Sequence, residues 1–326
     1  MSQIQNQTAP EVVCAGILVA DIFAPPLPRL PQEGELLKVD DFLMTVGGCA
    51  ANTGADLARL GVRAAVMGKV GEDIFGDFVI NDLAHKGLDA AHIRRSETYG
   101  TSRTVILPVI GQDRRYIHTV GANADFTPAD LDLDTVMAAR VFYVGGYLLA
   151  PALTAAALAE IFQLAQQRGV QTVLDVAGVG ASSDLEALRP ILPHTDVFLP
   201  NDDEALLLTG ERDPLRQAQI FLDLGARVAG ITLGAQGAIV RTAQDTVRAG
   251  VYPVDVVDPS GSGDAFDAGF IVGMLEGWSL ARTVAFAAAA GACACTALGC
   301  TAGVRTRAET EAFIRNHASI LTAPDA

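Results

Sequence analysis

Short, almost wholly apolar runs at residues 12–17, 170–175, 197–199 and 228–233 lack the polar alternation of a half-exposed strand. They predict strands of a parallel sheet buried on both faces. Segments of helical period lie between and after them, at 50–60, 74–85, 153–167, 214–224, 264–275, 280–298 and 307–317. Thr306 and Glu309 have the spacing of a capping box that opens the last helix. Strands alternating with helices predict an α/β fold: a doubly wound, mainly parallel sheet with helices on both faces. Its ligand sites lie at the carboxyl ends of the strands.

Two segments break this rhythm. Pro25, Pro26, Pro28 and Pro31 crowd residues 24–31 and lead into a strand-like stretch, 35–46, with polar interruptions. Further on, residues 101–110 and 114–120 flank Gly111-Gln112-Asp113, a hairpin signature. These pieces predict a small β-sheet lid, about 22–46 and 98–122, on one domain spanning 11–320 after a polar tail, 1–10. Leu36, Val39 and Phe42 put apolar side chains on the lid and suggest a homodimer paired lid to lid.

Composition narrows the function. The 326 residues are 50% hydrophobic and 19% charged, which supplies a large core and excludes a disordered chain. Aromatic residues are only 6%, so Ala, Val, Leu and Ile must carry that core. With 23 Lys plus Arg against 38 Asp plus Glu, the net charge of −15 argues against nucleic acid or anionic membrane as a partner. The opening MSQIQNQTAP has neither the basic start nor the apolar core of a signal peptide, so a cytoplasmic location is expected. The small-residue run at 283–298 suits a buried helix better than a membrane span. Cys14, Cys49, Cys293, Cys295 and Cys300 are an odd number, as expected of reduced thiols. Cys293 and Cys295 diverge on a helix and cannot share an ion there, so all five are expected to pack as small buried hydrophobes.

The most informative stretch is Val254-Asp-Val-Val-Asp-Pro-Ser-Gly-Ser-Gly-Asp-Ala-Phe-Asp-Ala-Gly-Phe270. An apolar strand is expected to end at Asp258, with Gly261, Ser262 and Gly263 turning into a helix opened by Asp264. Glycines let backbone come close to a ligand, and free N–H groups at a helix start cradle an anion such as phosphate. A carboxylate beside such a cradle is electrostatically unfavourable unless it does chemistry, such as taking the proton of a hydroxyl attacking phosphorus. The bland alternative is that Asp simply suits a first helical turn. No G-x-x-x-x-G-K-[ST] loop occurs, and a nicotinamide-dependent oxidoreductase fails on the missing early G-x-G-x-x-G.

The string D-P-S-G-S-G-D-A-F-x-A-G-F resembles the carboxyl-terminal signature of the ribokinase/pfkB carbohydrate kinases, usually written around D-T-x-G-A-G-D. Val46-Gly-Gly-Cys-Ala-Ala-Asn-Thr-Gly54, followed by Leu57-Ala-Arg-Leu-Gly61, resembles the family's G-G-x-x-x-N helix start. The resemblance runs from about Glu11 to His317 and implies a Rossmann-like (ribokinase-like) fold with a β lid. It further implies an ATP- and Mg²⁺-dependent kinase acting on a primary hydroxyl of a small sugar. Asp264 would be the base, with Gly261, Ser262 and Gly263 as the anion hole.

The resemblance also implies that Asp21, at the close of the first strand, and Gly47, Gly48 and Asn52 meet the sugar. Asn201 and Glu204 of Pro200-Asn-Asp-Asp-Glu204 would organise Mg²⁺ through water. Asn201 with Thr232, Gly234 and Gly237 would meet ATP, and the 285–298 helix with the 299–303 loop would flank adenine and a monovalent cation such as K⁺. Each has a structural alternative: Asp21 as a solvated loop acid, Gly47 and Gly48 as a plain helix start, Asn201 and Glu204 as a capping box, Thr232 to Gly237 as a tight turn.

Several positions depart from the family pattern. Asp175-Val-Ala-Gly178 stands where many sugar kinases carry Asp-x-Asn-x-Arg, and Gly145-Gly-Tyr147 replaces a more polar stretch. No Asn is evident in the adenine-side helix, and no Lys precedes Pro200-Asn201, which favours an unphosphorylated acceptor. Arg114 and His118 could share a lid face and meet an acceptor anion, or form an ordinary solvated edge. The expected function is sugar phosphorylation. A nucleoside kinase and a non-catalytic sugar- or nucleotide-binding regulator are the alternatives.

Overall fold

Neighbouring residues of the first strand pack into different cores, and this sets the architecture. The computed structural model describes residues 9–112, 114–178 and 185–322. Residues 1–8 of the expected tail and Asp113 of the expected turn lie outside the described residues. The chain begins β1 (Val12–Gly16), β2 (Val19–Phe23), β3 (Leu43–Gly47), α1 (Cys49–Arg59), β4 (Ala64–Gly71), α2 (Ile74–His85), β5 (Ile93–Ser96), β6 (Arg103–Leu107) and β7 (Arg115–Thr119). It continues α3 (Leu133–Ala138), β8 (Val141–Gly145), α4 (Ala155–Gln167), β9 (Gln171–Leu174), α5 (Leu185–Leu188), β10 (Val197–Phe198), α6 (Asp202–Thr209) and α7 (Pro214–Asp223). Last come β11 (Val228–Thr232), β12 (Ala238–Thr242), β13 (Thr246–Ala249), α8 (Ser262–Leu275), α9 (Leu280–Ala294), α10 (Arg307–Arg315) and β14 (Leu321–Thr322).

The main sheet has the order β14-β13-β12-β11-β10-β9-β8-β1-β4-β5. From β11 to β5 all neighbours are parallel, and β12, β13 and β14 add an antiparallel edge. Val12 and Cys14 of β1 face a core shared with Leu57, Leu83, Phe270 and Ala287, on α1, α2, α8 and α9. Val13 and Ala15 face the opposite core with Phe162 and Phe221, on α4 and α7. Edge-on ring pairs fasten those two helices to the sheet: Phe142–Phe162 at 5.6 Å and Phe198–Phe221 at 4.8 Å. Among the described residues no helix is long and apolar enough to cross a membrane.

A separate sheet has the order β3-β2-β6-β7, and every residue of its edge strand β7 is exposed. Two expectations change here. The first apolar run does not continue to Asp21: β1 ends at Gly16, and Asp21 lies within β2, opposite Thr45 and Thr104. Nor does a strand fill 35–46. β3 starts only at Leu43, paired with Phe23, because the next partners along would include Pro25 and Pro26, which have no N–H to donate.

The carboxyl-terminal third brings two more corrections. Residues 254–258 form no strand, since β14 already covers the edge of β13 and leaves Val256 and Val257 exposed. The N–H groups of Val257 and Asp258 instead donate to the Cys295 carbonyl at 2.8 and 3.2 Å. Together with the Thr296 N–H on the Cys293 carbonyl, they satisfy the end of α9, which therefore stops at Ala294 rather than 298.

Candidate active site

Two helix N-termini, those of α1 and α8, meet near the carboxyl ends of β8 and β9. The start of α1 is fixed by Gly48, whose φ of +93° suits glycine and whose Cβ would lie 2.4 Å from the Ile17 carbonyl oxygen. A Cβ on Gly47 would lie 1.9 Å from Asp21 Oδ2, so the sequence motif leaves room for that carboxylate. One turn into α1, Asn52 Nδ2 donates to Asp264 Oδ2 at 2.8 Å. The Asn52 Oδ1 is buried without a partner, an acceptor left over for a ligand's hydroxyl.

Below this pair runs a polar layer. Thr53 Oγ1 donates to the Tyr143 hydroxyl at 3.1 Å, which donates to Asp267 Oδ2 at 3.1 Å. The Gly146 N–H holds Asp175 Oδ2 at 3.1 Å. Ligand atoms of Cys49, Asp175 and Asp264 lie within 4.8 Å of one another. Burial pushes the Asp264 carboxyl above its usual range, opposed by hydrogen bonds from Asn52 and Cys49. Burial, then repulsion from neighbouring carboxylates, holds Asp175 and Asp267 well above theirs. Among the described residues, none of these acids, nor Glu204, forms an ion pair with Lys or Arg.

The anion loop leads into α8. Gly261 has φ +75°, and a Cβ there would lie 2.1 Å from the Cys300 carbonyl oxygen. Ser262 N–H turns back to the Pro259 carbonyl at 3.3 Å, so of the three expected anion-hole amides it is the one already engaged. The N–H groups of Gly261, Gly263 and Asp264 find no acceptor among the described residues, and a Cβ on Gly263 would meet open space. A helix start with spare donors and an open front suits an anion.

The remaining expected residues divide into two groups. Asp21 is 7% exposed, and burial pushes it up to about 6, against a hydrogen bond from Thr104. Asn201 and Thr232 bridge at the ends of β10 and β11. Asn201 and Glu204 do form the capping box, with bonds of 2.8 and 2.9 Å that still leave Glu204 Oε1 uncommitted. Burial and the Asp264 charge raise Glu204 to about 7. Thr232 to Gly237 is a tight turn: Gly237 (φ +93°) packs on the Ala249 carbonyl, while Gly234 (φ +52°) faces open space.

Sequence reasoning missed Cys49, Tyr143, Asp175 and Asp258 as members of this centre. Cys49 was expected to be a buried hydrophobe, yet its Sγ lies within 4.8 Å of carboxylate oxygens of Asp175 and Asp264. Its position directly after the double glycine was the available signal. Arg114 reaches Asp258 at 2.6 Å, and His118 lies 3.1 Å from Thr104 Oγ1, in the cross-strand row that leads to Asp21.

The sequence model of pfkB family carbohydrate kinases matches residues 9–307. The chain belongs to the pfkB family of carbohydrate kinases. Members are phosphotransferases with an alcohol acceptor, and this chain is such an enzyme by family. It is similar to the ribokinase of Haemophilus influenzae, 29% identical over 89% of this chain and 94% of that one. It is also 26% identical to the 5-dehydro-2-deoxygluconokinase of Geobacillus kaustophilus, covering 94% of both. Among solved structures, a putative ribokinase II of E. coli in complex with ATP and Mg²⁺ superposes with a TM-score of 0.80 and 25% identity, over 94% of this chain and 100% of that one.

The buried acids give this pfkB kinase an unusual pH response. Asp21 and Glu204 have folded values of about 6 and about 7, above ordinary values of 3.8 and 4.5. The folded state therefore binds protons more tightly than the unfolded chain. That stabilisation is complete below the ordinary values and is lost as pH rises through the folded ones. The melting temperature of the ligand-free enzyme is expected to fall between about pH 5 and pH 8. Glu204→Gln, which keeps the capping box, should flatten the upper part of that fall in a differential scanning series.

Proposed function

We propose that this kinase transfers the γ-phosphoryl group of ATP to a primary hydroxyl of a small, unphosphorylated carbohydrate. The observation that carries the proposal is Asp264 itself. Its carboxylate is held by Asn52 at 2.8 Å at the start of α8, beside N–H groups that lack acceptors. A base adjacent to an anion cradle is the arrangement that phosphoryl transfer to an alcohol requires.

In this reading the sugar's hydroxyl oxygen attacks the γ-phosphorus, its proton passes to Asp264, and the bond to the β-phosphate oxygen breaks to release ADP. Burial makes Asp264 a stronger base than a solvated aspartate. The Gly261 and Gly263 amides meet charge on the transferred group. Asp21, with the backbone at Gly47 and Gly48, and Asn52 Oδ1 line the side from which the hydroxyls enter. Asn201, Thr232, Gly234 and Gly237 lie where the nucleotide is read.

The uncompensated carboxylates fit a divalent cation carried with ATP, and Glu204 with Asn201 would hold it, through water. Such a cation neutralises phosphate charge when bound. A neutral acceptor is supported by Leu199 preceding Pro200-Asn201 where sugar-phosphate kinases often place Lys, and by Arg114 being committed to Asp258. Exposed Phe42, Met44 and Ile117 give the small sheet a face for a second copy. Light scattering should return the mass of two 34.0 kDa chains.

The decisive experiment is ADP release from Mg·ATP across pentoses, hexoses, keto-sugar acids, sugar phosphates and nucleosides. Release with a neutral sugar is expected. A response to nucleosides alone, or to sugar phosphates alone, overturns the acceptor assignment, and no release with any acceptor overturns the catalytic one.

A further inference from the structure

Three loops converge on one buried carboxylate that the phosphoryl-transfer step does not use. Asp258 is 3% exposed. Its Oδ1 accepts from Arg114 Nη1 at 2.6 Å and from the Ser260 N–H at 3.0 Å, and its Oδ2 accepts from the Gly299 N–H at 3.0 Å. The same Arg114 nitrogen donates to Ser260 Oγ. Arg114 directly precedes β7 in the small sheet, and its guanidinium lies over the Tyr116 ring with 5.7 Å to the centroid. Lid, anion loop and the loop after α9 are thereby joined at one point. Gly261 packs on the Cys300 carbonyl immediately beside it.

Family resemblance implies a monovalent cation near the 299–303 loop. Asp258 is the carboxylate bonded to that loop, and it would have to anchor such an ion. Its two oxygens already take three N–H donors, one of them a guanidinium that cancels its charge. The residues present do not fit a resident K⁺.

We propose that Arg114 is a positioning residue that ties the lid to the anion loop and supplies the positive charge a monovalent cation would otherwise bring there. With the lid down it sets Asp258 and Ser260, which orient the Gly261 and Gly263 amides, and turnover needs no K⁺. The proposal rests on the anion-loop reading above. An arginine does this better than a lysine because its planar guanidinium also packs over the Tyr116 ring, which holds it in place.

The test compares wild type, Arg114→Lys and Arg114→Gln in tetramethylammonium chloride and in KCl at equal ionic strength. Wild-type kcat should change less than about twofold on adding K⁺. Arg114→Gln should lose ~10²-fold in kcat through misplaced donors, with a smaller change in KM for the acceptor, and Arg114→Lys should recover part of it. Hydrogen exchange of the ligand-free protein gives an independent readout: the bonded amides of Ser260, Ser262 and Gly299 should exchange faster in Arg114→Gln and be partly restored in Arg114→Lys. Strict K⁺ dependence of the wild type, an Arg114→Gln enzyme with wild-type kcat, or unchanged exchange in that variant would overturn the proposal. Absence of turnover in the wild type would refute the phosphoryl-transfer reading instead, and the exchange arm still decides the tie, since it uses no nucleotide.

Discussion

Asp264→Asn should remove ~10²–10⁴ of kcat while the protein folds as before. The substitution keeps the shape of the side chain, and its amide oxygen can still accept from Asn52 Nδ2, which holds Oδ2 at 2.8 Å in the wild type. What disappears is the capacity to take a proton. Stability should not fall, because Asp264 is a partly buried carboxylate whose charge also raises the neighbouring Glu204, Asp175 and Asp267. Removing that charge relieves repulsion among acids lacking cationic partners. Steady-state kinetics and a melting curve on the same preparation separate the two effects. The wild-type kcat/KM should rise with pH as Asp264 deprotonates, since only the carboxylate form is a base, and the variant's residual rate should lack that limb. A variant within a few-fold of wild type would remove Asp264 from the chemistry, and a variant with no melting transition would give it a structural role.

What the sequence disclosed was what is local. α2 lies at 74–85 as expected because Asp73 caps it, accepting the Gly76 N–H at 2.9 Å. The Asp264 site follows from a turn and a helix start that are contiguous in the chain. Asp21 was misplaced because residues 12–20 are buried in both sheets, and hydrophobicity carries no mark at the crossing from one to the other. That mark is Gly16, whose φ of +137° and close approach to the Gly145 carbonyl are visible only once the strands are paired. Residues 254–258 have the apolar content of a strand, but a strand needs a free edge, and β14 had taken it. The Arg114–Asp258 pair spans 144 residues, and no pattern in either segment points to the other. Cys49 shows the same gap: its type suggested packing, whereas the fold brings it beside Asp175 after β9 and Asp264 at the start of α8.

Gly261→Ala and Gly263→Ala, two residues apart, should fail in different ways, and the contrast tests the anion loop directly. At Gly261 the backbone is left-handed and the new Cβ would stand 2.1 Å from the Cys300 carbonyl oxygen. The conformation costs about 1–2 kcal/mol for a residue with a Cβ, and forcing the 299–303 loop outward adds about 1–3 kcal/mol. That loop also holds Asp258 through Gly299, so its displacement spreads to the Ser260 N–H and the amides that follow. A clear drop in melting temperature should therefore accompany a loss of ~10²–10³ in kcat, the amount one misplaced oxyanion donor removes. Gly263 has neither constraint: its φ is not left-handed, and a Cβ there would touch nothing in the ligand-free protein. Gly263→Ala should melt with the wild type and lose activity only because the methyl occupies the space where phosphate sits, raising KM for ATP as well as lowering kcat. Melting curves, with kcat and KM for ATP, on both variants decide between the two accounts. Equal loss of stability at both positions would mean the glycines serve the turn alone, whereas an active Gly263→Ala enzyme with normal KM for ATP would place the phosphate elsewhere.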